Sequence, residues 1–159
     1  MFTALLLTAA APPADRLPRA TPIPYADADT AQVMAPVSGL FAALAAGDGA
    51  GVLAVVDPDG RVTATGTRAT SSGLRRESWR EFAARVTPAT AFDERISDPA
   101  VEVDGDIAMV WAPYVVRVGG KVANCGIDHF DLVRDRVAGG GGWKAMNLSF
   151  SSRISGCGE

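Results

Sequence analysis

His129, Asp131 and Asp128 are the residues whose types and spacing could move a proton. His129 is the only histidine of the chain, and so the only side chain whose unperturbed pKa lies near neutrality. On a strand it shares a face with Ile127 and Asp131, while Asp128, Phe130 and Leu132 point the other way. Residues two apart on a strand are separated by roughly 6.5–7 Å, so Asp131 could orient His129, and such a dyad could abstract a proton from a ligand. The alternative is that Ile127, His129 and Asp131 form a solvated or dimer-facing side, with Phe130 and Leu132 in the core. The large apolar residues on the opposite face favour that alternative. Asp128 is then the awkward residue, because it lies on the apolar face. A carboxylate there has a raised pKa unless it is paired, which is how acid/base groups are tuned. The structural alternative is that Arg134, Arg153 or a turn amide satisfies it.

Around these residues stands an aromatic and methionine set that could wall a pocket for a flat, mostly apolar ligand: Trp79, Phe82, Phe92 and Met109, then Trp111, Tyr114, Phe130 and Met146. Most of such a set serves as ordinary core, and a part of it touches the cavity. Pro113, in the middle of a strand pattern, predicts a bulge because it cannot donate to a ladder. The Gly139–Gly142 run lacks the Lys-Ser/Thr and following helix of a phosphate cradle, so it reads as a hairpin loop. No P-loop, nucleotide fingerprint or other cofactor motif is present, and none is expected to be needed. A metal site is not expected either, since there is one histidine and no CxxC or HxxxH spacing.

Positioning these side chains falls to the last third of the chain, which reads as an antiparallel meander. Val101–Val103, Ile107–Val118, Val122–Val133 and Trp143–Phe150 are β-prone runs. Asp104-Gly105-Asp106, Gly119-Gly120 and the glycine run separate them as turns. Before them, Asp29-Thr30 can cap a helix to about Ala46, with Val33, Val37, Leu40, Phe41 and Leu44 on one stripe and Pro36 expected to kink or restart it. Asp48 caps a second helix, Ala50–Val56. Asp57–Gly60 is a turn into a strand at Arg61–Gly66, and Thr67–Leu74 reads as a polar loop. Ser78 and Glu81 have capping-box spacing for a helix to about Val86, and Ala91–Ile96 opens the sheet. The order implies an α+β arrangement, with helices on the concave face of a bent sheet and a hollow at one end.

The chain's 159 residues suit one domain able to bury roughly 70% of its unfolded surface. With 48% hydrophobic and 21% charged residues it is globular. A net charge of −3 without a basic stripe makes nucleic acid an unexpected partner. Phe2–Ala11 is too short to span a bilayer but suits the apolar core of a secretory signal, with Ala9–Ala11 as a small-residue cleavage pattern. Residues 1–11 are therefore read as a signal, leaving no membrane association after its removal. The alternative is the frayed N-terminus of a cytoplasmic protein. Residues 12–27, which hold five of the ten prolines, read as an extended leader, and 28–157 as the folded domain. In a periplasmic or secreted protein Cys125 and Cys157 could form a disulfide; otherwise one is a buried and the other an exposed thiol.

This order, together with the residues of the meander, resembles the nuclear transport factor 2-like superfamily of cone-shaped α+β barrels. More narrowly it is similar to exported bacterial members of the SnoaL-like and lumazine-binding type. The resemblance covers roughly Ala28 to Cys157. It rests on Phe41-Ala42-Ala43-Leu44 with Asp48, on Trp79 and Phe82, and on Trp111 with Tyr114. Further on it rests on Cys125-Gly126-Ile127-Asp128-His129-Phe130 with Leu132 and Arg134, then Gly142-Trp143-Lys144, Arg153 and Gly156-Cys157. It implies a cystatin-like fold, a curved, mostly antiparallel sheet around about three N-terminal helices, and a homodimer through the outer sheet face. It does not imply a function, because enzymes and binders share the scaffold. Relatives that isomerise, dehydrate or hydrolyse small substrates carry an acid/base Asp or a His–Asp pair inside the cone, and no residue here aligns with one. Two functions stay open: a non-catalytic module holding a small apolar ligand or a protein partner, and a small lyase, isomerase or hydrolase using Asp128 or His129.

Overall fold

The computed structural model describes residues 28–68, 71–134 and 141–158. The expected signal and leader, and the first half of the Gly139–Gly142 run, lie outside these. Helix α1, Ala28–Ala46, sets Val33, Val37, Leu40 and Leu44 at helical spacing, and all four are buried. It begins one residue before Asp29, so Asp29 lies in the first turn, where its charge opposes the helix dipole. Helix α1 also runs through Pro36 as one element. The carbonyl that Pro36 leaves without a donor belongs to Gln32, an exposed residue, where water can serve it.

Helix α2, Gly49–Val55, starts on the side chain of Asp48, which accepts from the Gly51 amide at 2.9 Å. Strand β1, Val56–Arg68, absorbs the expected Asp57–Gly60 turn as an irregularity in its pairing. Two short strands follow, β2 (Ser71–Ser72) inside the expected loop and β3 (Arg75–Ser78) just after it, both against β1. Helix α3, Trp79–Ala83, carries the capping box. Glu81 N–H donates to Ser78 Oγ, and the Ser78 N–H donates to Glu81 Oε2 at 2.8 Å. The Ser78 amide holds the Glu81 carboxyl below the usual range. The helix stops short of Val86 because the Arg85 and Val86 amides turn back to Phe82 and Ala83 in tighter three-residue bonds. A 3₁₀ turn at Pro88–Thr90 leads to the remaining strands: β4 Asp93–Ile96, β5 Ala100–Asp104, β6 Ile107–Val118, β7 Lys121–Arg134 and β8 Trp143–Ser152.

These strands form one curled, unclosed sheet in the order β3-β1-β8-β7-β6, with β4 and β5 sharing the outer edge of β6 in succession. Every pairing is antiparallel except β1 with β8. Trp79 and Leu44 are buried in a core with Phe130, Leu132 and Leu148, while Phe41 meets the edge of Phe130 at 6.1 Å between centroids. Gly60 makes one contact possible. A Cβ there would stand 1.6 Å from the Met146 carbonyl oxygen, the same oxygen that accepts from Trp79 Nε1 at 2.9 Å.

Pro113 causes no bulge; the register of β6 slips between Val116 and Arg117 instead. A strand residue turns its N–H and C=O to the same neighbour. The Pro113 carbonyl accepts from Ser97, between the stretches where β4 and β5 pair with β6. The missing N–H therefore falls at that changeover and removes no bond to β7.

Candidate functional site

Alternation along β7 puts Asn124, Gly126, Asp128, Phe130 and Leu132 on the concave side, and all five are buried. Gly126 lets the strands close up at this end, since a Cβ would meet the Ser151 carbonyl oxygen at 1.9 Å and the Tyr114 ring at 2.9 Å. Tyr114 is thereby held with its hydroxyl 2.9 Å from the Ser151 carbonyl and 3.1 Å from Asn124 Oδ1. Ser152 Oγ also donates to Asn124 Oδ1.

Beside this group the cone opens into a cavity of about 300 Å³. Its walls are apolar and aromatic: Leu44 from α1, Phe82 from α3, Phe92 ahead of β4, Tyr114 from β6, and Leu148 and Phe150 from β8. Tyr114 and Phe150 meet edge to face, with centroids 6.3 Å apart. Asp128 lines the cavity at only 1% exposure, and its Oδ2 has no hydrogen-bond partner. Its neighbours across the strands are Ala112 and Phe150, neither of which offers a side-chain donor. Burial without a compensating cation pushes its pKa up to about 7.

Of the arginines expected to satisfy Asp128, Arg134 is engaged elsewhere and Arg153 is exposed. Arg134 pairs with Asp106 at 2.9 Å, donates to the Gly105 carbonyl and lies over the Trp143 ring at 4.7 Å. Arg153 joins Cys125 through backbone bonds. The tail then turns so that Cys157 is disulfide-bonded to Cys125, with Cα atoms 5.5 Å apart.

Of the aromatic and methionine set, Phe82, Phe92 and Tyr114 line the cavity. Trp79 and Phe130 are wholly buried core residues that do not face it. Met146 is half-buried and likewise outside the lining. Met109 and Trp111 belong to the convex face, because β6 points its odd-numbered residues outward. His129 lies on that face too: its ring is 5.7 Å from Trp111, and its Nε2 is 3.6 Å from Asp131 Oδ1. The His129–Asp131 pair therefore forms, but on the outside of the sheet. A shallow outer groove of about 260 Å³ runs past it between Thr63, Ser149 and Trp111, which is 49% exposed.

Sequence reasoning missed Asn124 and the charged rim of the cavity, which is Arg75, Glu77, Arg85 and Glu94. Strand parity with Asp128 would have found Asn124. Nothing pointed to Arg75, because β3 has no apolar alternation. Among the described residues no cluster of His, Cys, Asp and Glu could hold a metal ion, and no helix is long and apolar enough to cross a membrane.

No protein-family model and no curated protein matches the chain. Solved structures do. A cystatin-like protein of unknown function from Nostoc punctiforme is 15% identical over 80% of this chain and 92% of its own, with a TM-score of 0.62. A protein of unknown function from Mycobacterium tuberculosis is 21% identical over 79% and 72%, at 0.60. An NTF2-like protein from Novosphingobium aromaticivorans is 16% identical over 81% and 84%, also at 0.60. With this topology and these neighbours, the chain has the cystatin-like fold of the nuclear transport factor 2-like proteins.

Proposed function

We propose that the protein holds a small, largely apolar ligand in the cone, with Asp128 as the hydrogen-bonding group inside it. The observation that carries this reading is the unpartnered Oδ2 of a buried carboxyl lining an aromatic-walled cavity. A buried polar atom left unsatisfied costs about 1–3 kcal/mol, and a ligand hydrogen bond offsets that cost. The cavity volume lies at the lower end of small-molecule sites. The test is a fluorescence titration with the neutral probe N-phenylnaphthylamine. Saturable binding at one site per chain, weakened in Phe92→Ala, is expected. Absence of saturation, or indifference to Phe92→Ala, refutes the reading.

A second reading, general acid/base catalysis in the same cavity, is favoured by the Asp128 pKa of about 7, where a side chain both takes up and releases a proton near neutral pH. In that reading Asp128→Asn keeps ligand affinity and abolishes turnover. His129 takes no part, since it stands on the other face of the sheet. Export of the chain, and a homodimer through the convex face around Trp111 and Ile107, complete the proposal. Exposure of those two side chains supports the dimer.

A further inference from the structure

We infer that the ligand is an amphipathic anion: a flat apolar body, an uncharged polar end at Asp128, and an acidic group at the cavity mouth held by Arg75. This rests on the reading of the cavity as a ligand site and deepens it.

The charges around the mouth are not equivalent. Arg85 and Glu77 neutralise each other in an ion pair at 2.5 Å, and Glu94 already has an interaction partner. Arg75 alone of the four rim charges has neither an ion pair nor a side-chain hydrogen bond among the described residues, although it lines the cavity. It is the unspent cation of the rim, and its fork of donors suits a carboxylate, sulfonate or phosphate.

Pairing registers place it relative to Asp128. Arg75 on β3 pairs with Ala64 on β1, Ala64 with Phe150 on β8, and Phe150 with Asp128 on β7. Paired residues share a face, so the four form one lateral row along the concave side. Three steps of about 4.8 Å give about 14 Å between the Asp128 and Arg75 backbones. Ala64 and the Phe150 ring lie between them, a small residue and a flat apolar surface. With both polar side chains extended toward each other, the gap suits a body of about two fused rings. The far end must be uncharged or a donor, because burial resists a second anion beside Asp128.

The test compares two fluorescent probes that differ only in an acidic group, anilinonaphthalene sulfonate and neutral N-phenylnaphthylamine, on wild type, Arg75→Gln and Arg76→Gln. Arg76 is exposed and outside the lining, so it controls for net charge, and thermal melts confirm that each variant folds. The sulfonate should bind about tenfold more weakly to Arg75→Gln, with its affinity for Arg76→Gln and the neutral probe's affinity for all three proteins within about twofold. Equal sulfonate affinity for wild type and Arg75→Gln overturns the anion inference while leaving the cavity reading standing. So does an equal loss with Arg76→Gln, or a parallel loss of the neutral probe. If neither probe saturates on wild type, both readings fall together.

Discussion

Asp128→Asn should be least favourable in acid and most favourable above neutral pH, because it removes an ionisation that folding resists. The carboxyl titrates near 3.8 unfolded and near 7 in the cone, raised by burial. Between these values the folded chain keeps a proton that the unfolded chain has lost. Stability therefore falls as pH rises through the window; the contribution is fully present below about 3.8 and gone above about 7. A separation of about three pH units corresponds to about 4 kcal/mol. The asparagine has no such term. Its extra N–H donors lack a partner where Asp128 sits, which costs about 1–3 kcal/mol at every pH. The variant should thus be less stable than wild type near pH 4.5 and about 1–3 kcal/mol more stable near pH 8, by the same linkage. Urea unfolding of both proteins across this range measures the difference, and the remaining carboxylates cancel in it. A constant offset at all pH values would mean that Asp128 ionises normally, and the reasoning from its orphaned oxygen would fail.

The convex face gives a second prediction. Trp111→Glu should convert a dimer into a species of single-chain mass by sedimentation at micromolar concentration, and a wild type that is already monomeric refutes the proposed association. Protein recovered from the periplasm should begin near Pro12 and contain no free thiol; intact mass with Met1 retained and two alkylatable cysteines sinks the export proposal. Cys157→Ser opens a loop of 32 residues and should cost about 3–4 kcal/mol in the chain-entropy account, with unchanged denaturation midpoints as the contrary result.

The long strands were legible because their residues state both the period and the breaks. Ile107–Val118 is bounded by Gly105 and Gly119, both of which adopt positive φ, and β6 has those limits. Parity on β7 likewise separates Asp128 from His129 in the sequence alone. The failures share a cause: a local rule was applied where a neighbour decides. Pro36 does not restart the helix, and the residue whose carbonyl it orphans, Gln32, is exposed. Pro113 was expected to force a bulge, but its missing donor points to a changeover between two edge strands. Strand β3, Arg75-Arg76-Glu77-Ser78, carries no apolar alternation because it is an edge strand, and charged side chains are what keep such an edge from pairing further.

That last miss bears directly on the site. The aromatic walls were partly readable, as Phe82, Phe92 and Tyr114 show, because bulky apolar side chains announce themselves wherever the fold puts them. Their sorting into cavity, core and convex face was not, since it depends on which strand lies beside which. Trp79 and Phe130 went to the core, and Trp111 went outside. Arg75 reaches the cavity only because β1, entering before the meander, pairs parallel with β8 at its end and carries β3 along on its far edge. A row from Arg75 to Asp128 thus joins residues 53 positions apart through two intermediates on other strands. Chemistry distributed in this way leaves no spacing motif. Its trace in the structure is energetic: one buried carboxyl oxygen without a donor, one rim cation without an anion, and an apolar surface between them.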